Sequence, residues 1–205
     1  MDKKTRDYYL YCGIKLSWHE KELSDFTNDE DALLKVKSYF SSLQEMKSRG
    51  LGMFLWGANG CGKTMLMNCA FKELIKQGQK VHIFSLTEIV NKYTASWYSS
   101  EDRQELHRIL LKADFLGIDE FGKNVDADGE ANYIPDIVKR VIDEVIRYRV
   151  QMNKPLWITS NTEPKYIKKV FTEDIASLLR EAVIAVHVTG KDFRKVIQDR
   201  NKELL

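Results

Sequence analysis

One segment of the chain carries the residues that could hold the phosphates of a nucleotide. It meets the pattern G-x-x-x-x-G-K-[ST] in full, with the residues Gly57-Ala58-Asn59-Gly60-Cys61-Gly62-Lys63-Thr64. The glycines let successive backbone N–H groups turn towards an anion. The Lys63 amine can neutralise the β- and γ-phosphates, and the Thr64 hydroxyl can bind Mg²⁺. A helix is expected from Lys63, so the free N–H groups of its first turn, including Met65, complete a predicted site for ATP and Mg²⁺.

Two adjacent carboxylates could carry out hydrolysis at this site. Asp119 and Glu120 directly follow the apolar run 115–118, which places them where a strand of an α/β sheet ends and ligands bind. We expect Asp119 to hold Mg²⁺ between the β- and γ-phosphates and Glu120 to act as general base on the attacking water. An acidic turn after a strand is common by itself, but the phosphate loop upstream favours the catalytic interpretation. The pair therefore predicts Mg²⁺-dependent hydrolysis of ATP.

A third polar segment follows another apolar run. Thr159, Ser160 and Asn161 come after residues 156–158, on the same predicted edge of the sheet. A neutral side chain there can hydrogen-bond the γ-phosphate or the attacking water without competing for Mg²⁺. We assign this role to Asn161. The alternative is that Asn161 only caps the next turn, as asparagine often does.

Short apolar runs separated by helices must position these residues. The runs predicted as strands are residues 51–56, 81–86, 115–118, 156–159 and 183–188. Helical spacing predicts helices over residues 28–50, 63–77 and, in two pieces parted near Ser99 and Ser100, 87–113. After a polar loop at 122–132 we expect a helix that faces the core through Ile134, Val138, Val141, Val145 and Ile146, and a charged helix closes the chain. Continuous apolar strands indicate a parallel sheet covered on both faces, an α/β fold.

Length and composition bound the class of protein. The 205 residues suffice for one α/β domain, predicted to span residues 28–205, preceded by an irregular arm at 1–27 that could bind a partner. The net charge of +2 excludes a polycation, so nucleic acid would have to bind a local patch. Three cysteines without zinc-ligand spacing suit a reducing compartment. No apolar stretch approaches the roughly 20 residues of a membrane span. These features predict a cytoplasmic protein without membrane association.

Taken together, the motifs resemble the DnaC/DnaI/IstB clade of AAA+ ATPases, which comprises helicase loaders and their transposition relatives. The resemblance covers residues 28–195. Besides the phosphate loop, it rests on four segments: Asp119 to Gly122, Thr159 to Asn161 after Lys154-Pro155, Ala176 to Glu181, and Gly190 to Arg194. The first two motifs occur in many ATPases, whereas the order and spacing of the whole set suggest this clade.

The resemblance implies a P-loop NTPase fold with a five-stranded parallel sheet of order 5-1-4-3-2 and no separate lid domain. It also implies a homo-oligomeric ring or spiral with ATP between subunits, a hexameric replicative helicase as partner, and single-stranded DNA. The arginine finger of the family follows its serine directly, but here Leu178 stands at that position. The nearest arginine, Arg180, lies two residues further, about 200° around a helix. Arg180 is therefore predicted either as the finger that acts on a neighbouring subunit or as a surface arginine.

The segment between the second and third strands is the candidate DNA surface. It contains Lys92, Tyr93 and Trp97, followed by Arg103 and Arg108. Aromatic faces stack on bases and cations contact phosphates, a combination that holds single strands of any sequence. The alternative is that Tyr93 and Trp97, four residues apart on a helix, pack into the core.

Three functions are compatible with these features. The leading hypothesis is an ATP-dependent protein that loads or remodels a replicative helicase on single-stranded DNA. The second is an IstB-like transposition ATPase that binds double-stranded DNA. The third is a nucleotide-binding adaptor with little turnover, which Leu178 favours and Glu120 opposes. A metabolic kinase is disfavoured because the sequence contains no recognisable acceptor site or arginine-rich lid.

Overall fold

The protein was analysed as a computed structural model, which describes residues 1–96, 99–121 and 136–194. Within these residues there are five strands: β1 (Gly52–Trp56), β2 (Val81–Ser85), β3 (Phe115–Asp119), β4 (Leu156–Ser160) and β5 (Val183–His187). The α-helices there are α1 (Lys3–Tyr11), α2 (Glu30–Ser41), α3 (Leu43–Ser48), α4 (Lys63–Lys76), α5 (Leu86–Ala95), α6 (Ser100–Lys112), α7 (Asp136–Gln151), α8 (Ile167–Val170) and α9 (Glu173–Ala182).

All the strands are parallel and form one sheet in the order β2-β3-β4-β1-β5. This is the predicted order 5-1-4-3-2 counted from the opposite edge, so the fold prediction is confirmed. In the register of the sheet, Ile118 of β3 lies beside Ile158 of β4, and Trp56 of β1 lies beside Ser160. The carboxyl ends of β1, β3 and β4 therefore meet at one edge, where parallel sheets bind ligands.

The two faces of the sheet carry separate hydrophobic clusters. One face packs against α5, α6, α7 and α9, with buried residues that include Ile89, Leu110, Ile142, Ile146 and Leu179. The other face packs against α4, α2 and the N-terminal arm, with buried residues that include Leu66, Phe71, Val36, Tyr39 and Ile14. Coverage of both faces explains why the strands read as continuous apolar runs rather than alternating ones.

Helix α7 carries the one fully buried arginine of the described chain. The Arg149 guanidinium donates to the carbonyl oxygens of Leu110 (2.9 Å), Ala113 (3.2 Å), Asp114 (3.2 Å) and Pro155 (2.9 Å). Burial lowers the pKa of Arg149 to about 9, against the opposing effect of the nearby Asp114 carboxylate. The side chain thereby joins α6, β3 and β4 at the amino ends of these strands, opposite the carboxyl ends where ligands bind.

Two boundaries differ from the sequence-based expectation. Leu86 is the first residue of α5 rather than the last of β2, because Ser85 and Glu88 form a capping box at the start of the helix. Glu88 N donates to Ser85 Oγ (3.1 Å), and Ser85 N donates to Glu88 Oε2 (2.6 Å). The helix predicted over residues 28–50 is divided into α2 and α3, since Ser42 leaves the helical conformation at φ −117° and ψ 25°.

The prediction of an irregular arm at residues 1–27 was wrong. Asp2 caps α1 by accepting a hydrogen bond from Thr5 N (3.0 Å), and the chain after this helix packs into the core. The helix escaped detection because Tyr9 is its single buried residue, so it has no apolar stripe to reveal it. The division into an arm and a domain from residue 28 stays a prediction.

Helix α7 agrees with the predicted helix after the polar loop, and Val141, Val145 and Ile146 are buried as expected. Ile134, the loop at 122–132 and the helix predicted after residue 194 lie outside the described residues, as does the side chain of Val138. Across the described ranges no helix has the length and apolar character needed to cross a membrane.

Candidate nucleotide site

The phosphate loop joins the end of β1 to the start of α4, as the sequence predicts. Gly57 and Gly62 have φ angles of +152° and +99°. A Cβ atom on Gly57 would lie 2.1 Å from the Val188 carbonyl oxygen, and one on Gly62 would lie 2.7 Å from the Phe26 ring. Neither position tolerates a side chain, because both the backbone angle and the neighbouring atoms exclude it. The loop is thus pressed between the chain after β5 and the N-terminal arm.

Lys63 extends into the loop that precedes it. Its amine donates to the carbonyl oxygens of Gly57 (2.9 Å) and Ala58 (2.7 Å), and only 7% of the residue is exposed. Burial lowers the pKa of Lys63, while Cys61 nearby raises it. The carbonyls carry no net charge to balance the buried cation, so a phosphate anion at the loop would stabilise it.

The residues predicted to bind Mg²⁺ are in contact. Thr64 Oγ1 donates to Asp119 Oδ1 at 3.0 Å, which links the first turn of α4 to the end of β3, and Asp119 is 2% exposed. In the described chain no three His, Cys, Asp or Glu residues cluster as a metal site. Proteins hold Mg²⁺ through one or two carboxylates together with substrate phosphates and water. A hydroxyl and a carboxylate at this spacing fit the ion.

Thr159 of β4 connects the two acids; the sequence placed it in the polar segment 159–161 but indicated no role for it. Its hydroxyl donates to Asp119 Oδ1 (2.5 Å) and accepts from Glu120 N (3.1 Å), and its carbonyl accepts from Phe121 N (2.8 Å). Glu120 has φ +59°, a left-handed conformation that costs a non-glycine residue roughly 1–2 kcal/mol. Three hydrogen bonds between Thr159 and this segment thus offset the cost, hold the Asp119 carboxylate and fix the backbone at Glu120.

A cleft of about 440 Å³ opens beside the loop. Lys63, Thr64, Glu120 and Asn161 all line it, and the Asn161 side chain is exposed. The structure therefore brings three of the predicted catalytic residues, Lys63, Glu120 and Asn161, to one cavity, and the sensor role of Asn161 stays a prediction. The cleft has further lining residues that the sequence did not reveal: Trp18, Lys21, Asp25, Phe26, Thr27, Phe193 and Arg194.

The N-terminal arm forms one wall of this cleft and is tied to the loop. Asn28, the residue directly after the arm, donates through Nδ2 to the carbonyl oxygens of Cys61 (2.9 Å) and Lys191 (3.0 Å). The fully buried Lys72 of α4 donates to the carbonyls of His19 (2.8 Å) and Lys21. The arm is therefore attached both to the phosphate loop and to the helix that follows it.

The chain after β5 adds a further cation to the cleft. Phe193 N donates to the Gly60 carbonyl (3.1 Å), and the adjacent Arg194 lines the cavity. The charge of Arg194 contributes to the lowered pKa of Lys63, after the larger effect of burial. Arg194 thus lies near enough to Lys63 for both cations to meet phosphates in the cleft.

Arg180 lies away from the cleft of its own chain. It is on the exposed side of α9 and forms an ion pair with Glu173 Oε1 at 3.0 Å. Leu178, at the position of the family's arginine finger, packs against the core instead. The rotation of about 200° between the two positions explains why one faces inward and the other outward. The role of Arg180 on a neighbouring subunit stays a prediction.

The candidate DNA surface is less cationic than the sequence suggests. Lys92 is exposed, but Tyr93 packs against the core, the alternative left open above. Arg103 donates to the Ser96 carbonyl (3.4 Å), and Arg108 is paired with Glu105 (2.7 Å). A groove of about 520 Å³ beside Lys92 is also lined by three acids, namely Glu88, Asp102 and Glu105. Trp97 lies outside the described residues, and DNA contacts by Lys92 and Arg103 stay predictions.

The glycine-rich loop, the adjacent acids at the end of β3 and the order of the sheet define a P-loop ATPase domain of the AAA+ class. The chain matches the sequence model of the AFG1-like ATPase family over residues 15–202. It belongs to that family.

Individual relatives agree with this class. DnaI of Bacillus subtilis (strain 168), a replicative helicase loader, is 25% identical over 137 residues, which is 67% of this chain and 41% of DnaI. The crystal structure of the DnaC helicase loader superposes with a TM-score of 0.74 at 18% identity, covering 85% of this chain and 100% of that one. AMPPCP-bound DnaA from Aquifex aeolicus superposes with a TM-score of 0.65 at 16% identity, covering 93% of this chain and 56% of that one. The predicted resemblance to the DnaC and DnaI proteins is confirmed.

Proposed function

We propose that this protein is a Mg²⁺-dependent ATPase that loads or remodels a hexameric replicative helicase on single-stranded DNA. The proposed hydrolysis of ATP rests on a series of hydrogen bonds that runs from Thr64 through Asp119 and Thr159 to Glu120 beside the cleft. It joins a predicted metal ligand to a predicted general base through one buried hydroxyl. Such a fixed arrangement is what positioning an attacking water requires.

Each residue then has a distinct task. Lys63 and Arg194 meet the negative charge of the triphosphate, and Thr64 and Asp119 hold Mg²⁺. The bound ion would neutralise charge that develops on the β- and γ-phosphates. Glu120 accepts a proton from the attacking water, and Asn161 donates a hydrogen bond to the γ-phosphate or to that water.

The replication role is supported by the relatives. DnaI and DnaC are both helicase loaders, and the family match spans most of the chain. The N-terminal arm is our candidate for the helicase-binding segment, since α1 exposes Tyr8, Leu10 and Tyr11 by 42%, 45% and 53%. Exposed aromatic and aliphatic side chains of this kind are enriched where proteins bind each other. We propose a homo-oligomeric ring or spiral as the active assembly.

One observation favours a second candidate, a nucleotide-binding adaptor with little turnover. Leu178 packs inward at the finger position, and Arg180 is paired with Glu173 within its own chain. A subunit that lacks a trans-acting cation would bind ATP and hydrolyse it slowly.

Steady-state ATP hydrolysis separates the two candidates. Turnover is measured for the parent and for Glu120→Gln, alone and with single- or double-stranded DNA. We expect parent turnover that single-stranded DNA stimulates, and a loss of about 100-fold or more in Glu120→Gln with ATP binding retained. Absence of turnover under every condition, with ATP still bound, would leave the adaptor. Stimulation by double-stranded DNA alone would instead favour a transposition ATPase.

A further inference from the structure

The N-terminal arm supplies a cation to the carboxylate that is expected to bind the metal. Lys15 Nζ lies 3.7 Å from Asp119 Oδ2. The other carboxylate oxygen, Oδ1, already accepts the hydroxyls of Thr64 and Thr159. Lys15 is not among the residues that line the cleft beside the phosphate loop, so its amine reaches Asp119 from outside that cavity. No sequence motif indicates this contact.

A hydrogen bond and a buried side chain hold the backbone beside Lys15 against the sheet. Ile83 N of the edge strand β2 donates to the Cys12 carbonyl (2.9 Å), and Ile14 is fully buried. Gly13 permits this close approach: it has φ +79°, and a Cβ there would lie 1.9 Å from the Ile83 carbonyl oxygen. The Lys15 side chain is 52% exposed, so its amine can leave Asp119 for water.

We propose that Lys15 is a counter-ion of Asp119 that competes with Mg²⁺, so that binding of Mg²⁺·ATP releases this part of the arm. The inference rests on the proposed Mg²⁺·ATP site. A cation at Asp119 Oδ2 repels a second cation that approaches the same carboxylate. Because Lys15 is half-exposed, water and salt weaken this repulsion, and the expected effect on the Mg²⁺ requirement is moderate, about three- to tenfold.

The competition would connect the nucleotide site to α1, the helix proposed above as the partner-binding segment. Lys15 directly precedes the short 3₁₀ turn Leu16–Trp18, in which Trp18 N donates to the Lys15 carbonyl (2.9 Å). Only three residues, 12–14, separate Lys15 from the end of α1. Loss of the contact between the Lys15 amine and Asp119 would leave this segment with fewer attachments, so we expect it to open more often when Mg²⁺·ATP is bound.

The first test measures the Mg²⁺ requirement for binding of a fluorescent ATP analogue. The parent is compared with Lys15→Met and Lys15→Arg, and with Lys4→Met as a matched control on exposed α1. We expect the Mg²⁺ concentration at half-saturation to fall about three- to tenfold in Lys15→Met alone. Binding of the metal-free analogue should not tighten. An unchanged or higher Mg²⁺ requirement in Lys15→Met would overturn the proposal.

The second test follows amide hydrogen exchange in residues 12–19. In the parent these amides should exchange faster with Mg²⁺·ATP than with metal-free ATP, whereas in Lys15→Met the two rates should coincide. Equal protection in the two parent complexes would contradict release of the arm. A parent that binds no Mg²⁺·ATP at all would instead refute the proposed function, so the two failures are distinguishable.

Discussion

The Thr159 hydroxyl should matter for turnover far more than for ATP binding. In Thr159→Val a methyl group replaces the hydroxyl at nearly constant volume. The change removes the hydrogen bond to Asp119 Oδ1 and leaves Glu120 N without the acceptor it has at 3.1 Å. Both acids would then be held less firmly, and the left-handed backbone of Glu120 would lose its main anchor.

The magnitude follows from the two contacts. A hydrogen bond to a charged group contributes roughly 1.5–3 kcal/mol. If most of that loss falls on the transition state, kcat decreases about 10- to 100-fold, since about 1.4 kcal/mol corresponds to tenfold. The Thr159 hydroxyl bonds Asp119 and Glu120 N rather than the phosphate loop, so KM for ATP should change by less than about threefold.

The assay is steady-state hydrolysis at saturating Mg²⁺, with Thr159→Ser as the matched variant. Because serine keeps the hydroxyl, its kcat should stay within about threefold of the parent. A parent-like kcat in Thr159→Val would refute the reasoning. So would a loss confined to KM, since that outcome would mean that Thr159 acts on ATP binding rather than on the acids.

Three further predictions concern stability and the arm. Burial lowers the pKa of His82 from 6.5 to about 4, so as the pH falls the unfolded chain binds a proton before the folded one does. The free energy of unfolding should therefore decrease by about 2 kcal/mol between pH 7 and pH 5. If urea unfolding of His82→Gln showed the same dependence on pH as the parent, this explanation would be contradicted. Arg149→Leu removes a donor from four carbonyl oxygens, of which that of Pro155 keeps Leu116 N at 3.3 Å, and should lower the free energy of unfolding by about 3–5 kcal/mol, with partial recovery in Arg149→Lys. A difference below about 1 kcal/mol in urea would show that the contacts are dispensable. Lys72→Met removes the donor to the carbonyl oxygens of His19 and Lys21, so trypsin should cleave within residues 12–25 faster than in the parent. Equal cleavage rates in the two proteins would argue against this attachment of the arm.

Much of the fold could be predicted because its determinants are local. Each strand is a continuous apolar run, and the phosphate loop is a contiguous sequence with a required strand before it and helix after it. The adjacent acids Asp119 and Glu120 are recognisable for the same reason, since both follow a strand directly.

The parts that escaped prediction depend on contacts between distant segments. Trp18 and Phe26 line the cleft only because the arm crosses the edge of β2 and follows α4, and nothing near them in sequence indicates that path. Thr159 could have been found from strand register, because Ile118 pairs with Ile158 and the next residues of β3 and β4 are Asp119 and Thr159. The surface charges around Lys92 were misjudged because its acidic neighbours come from α6 as well as α5.

The central claim is that the segment 57–64 binds the triphosphate of ATP through main-chain N–H groups and the Lys63 amine. Calorimetric titration of the parent and Lys63→Ala with Mg²⁺·ATP tests it most directly, with thermal unfolding as the control for folding. We predict saturable binding by the parent and an affinity lower by about 10- to 100-fold, or more, in the folded Lys63→Ala variant. Equal affinity of the two proteins would contradict the assignment of the site.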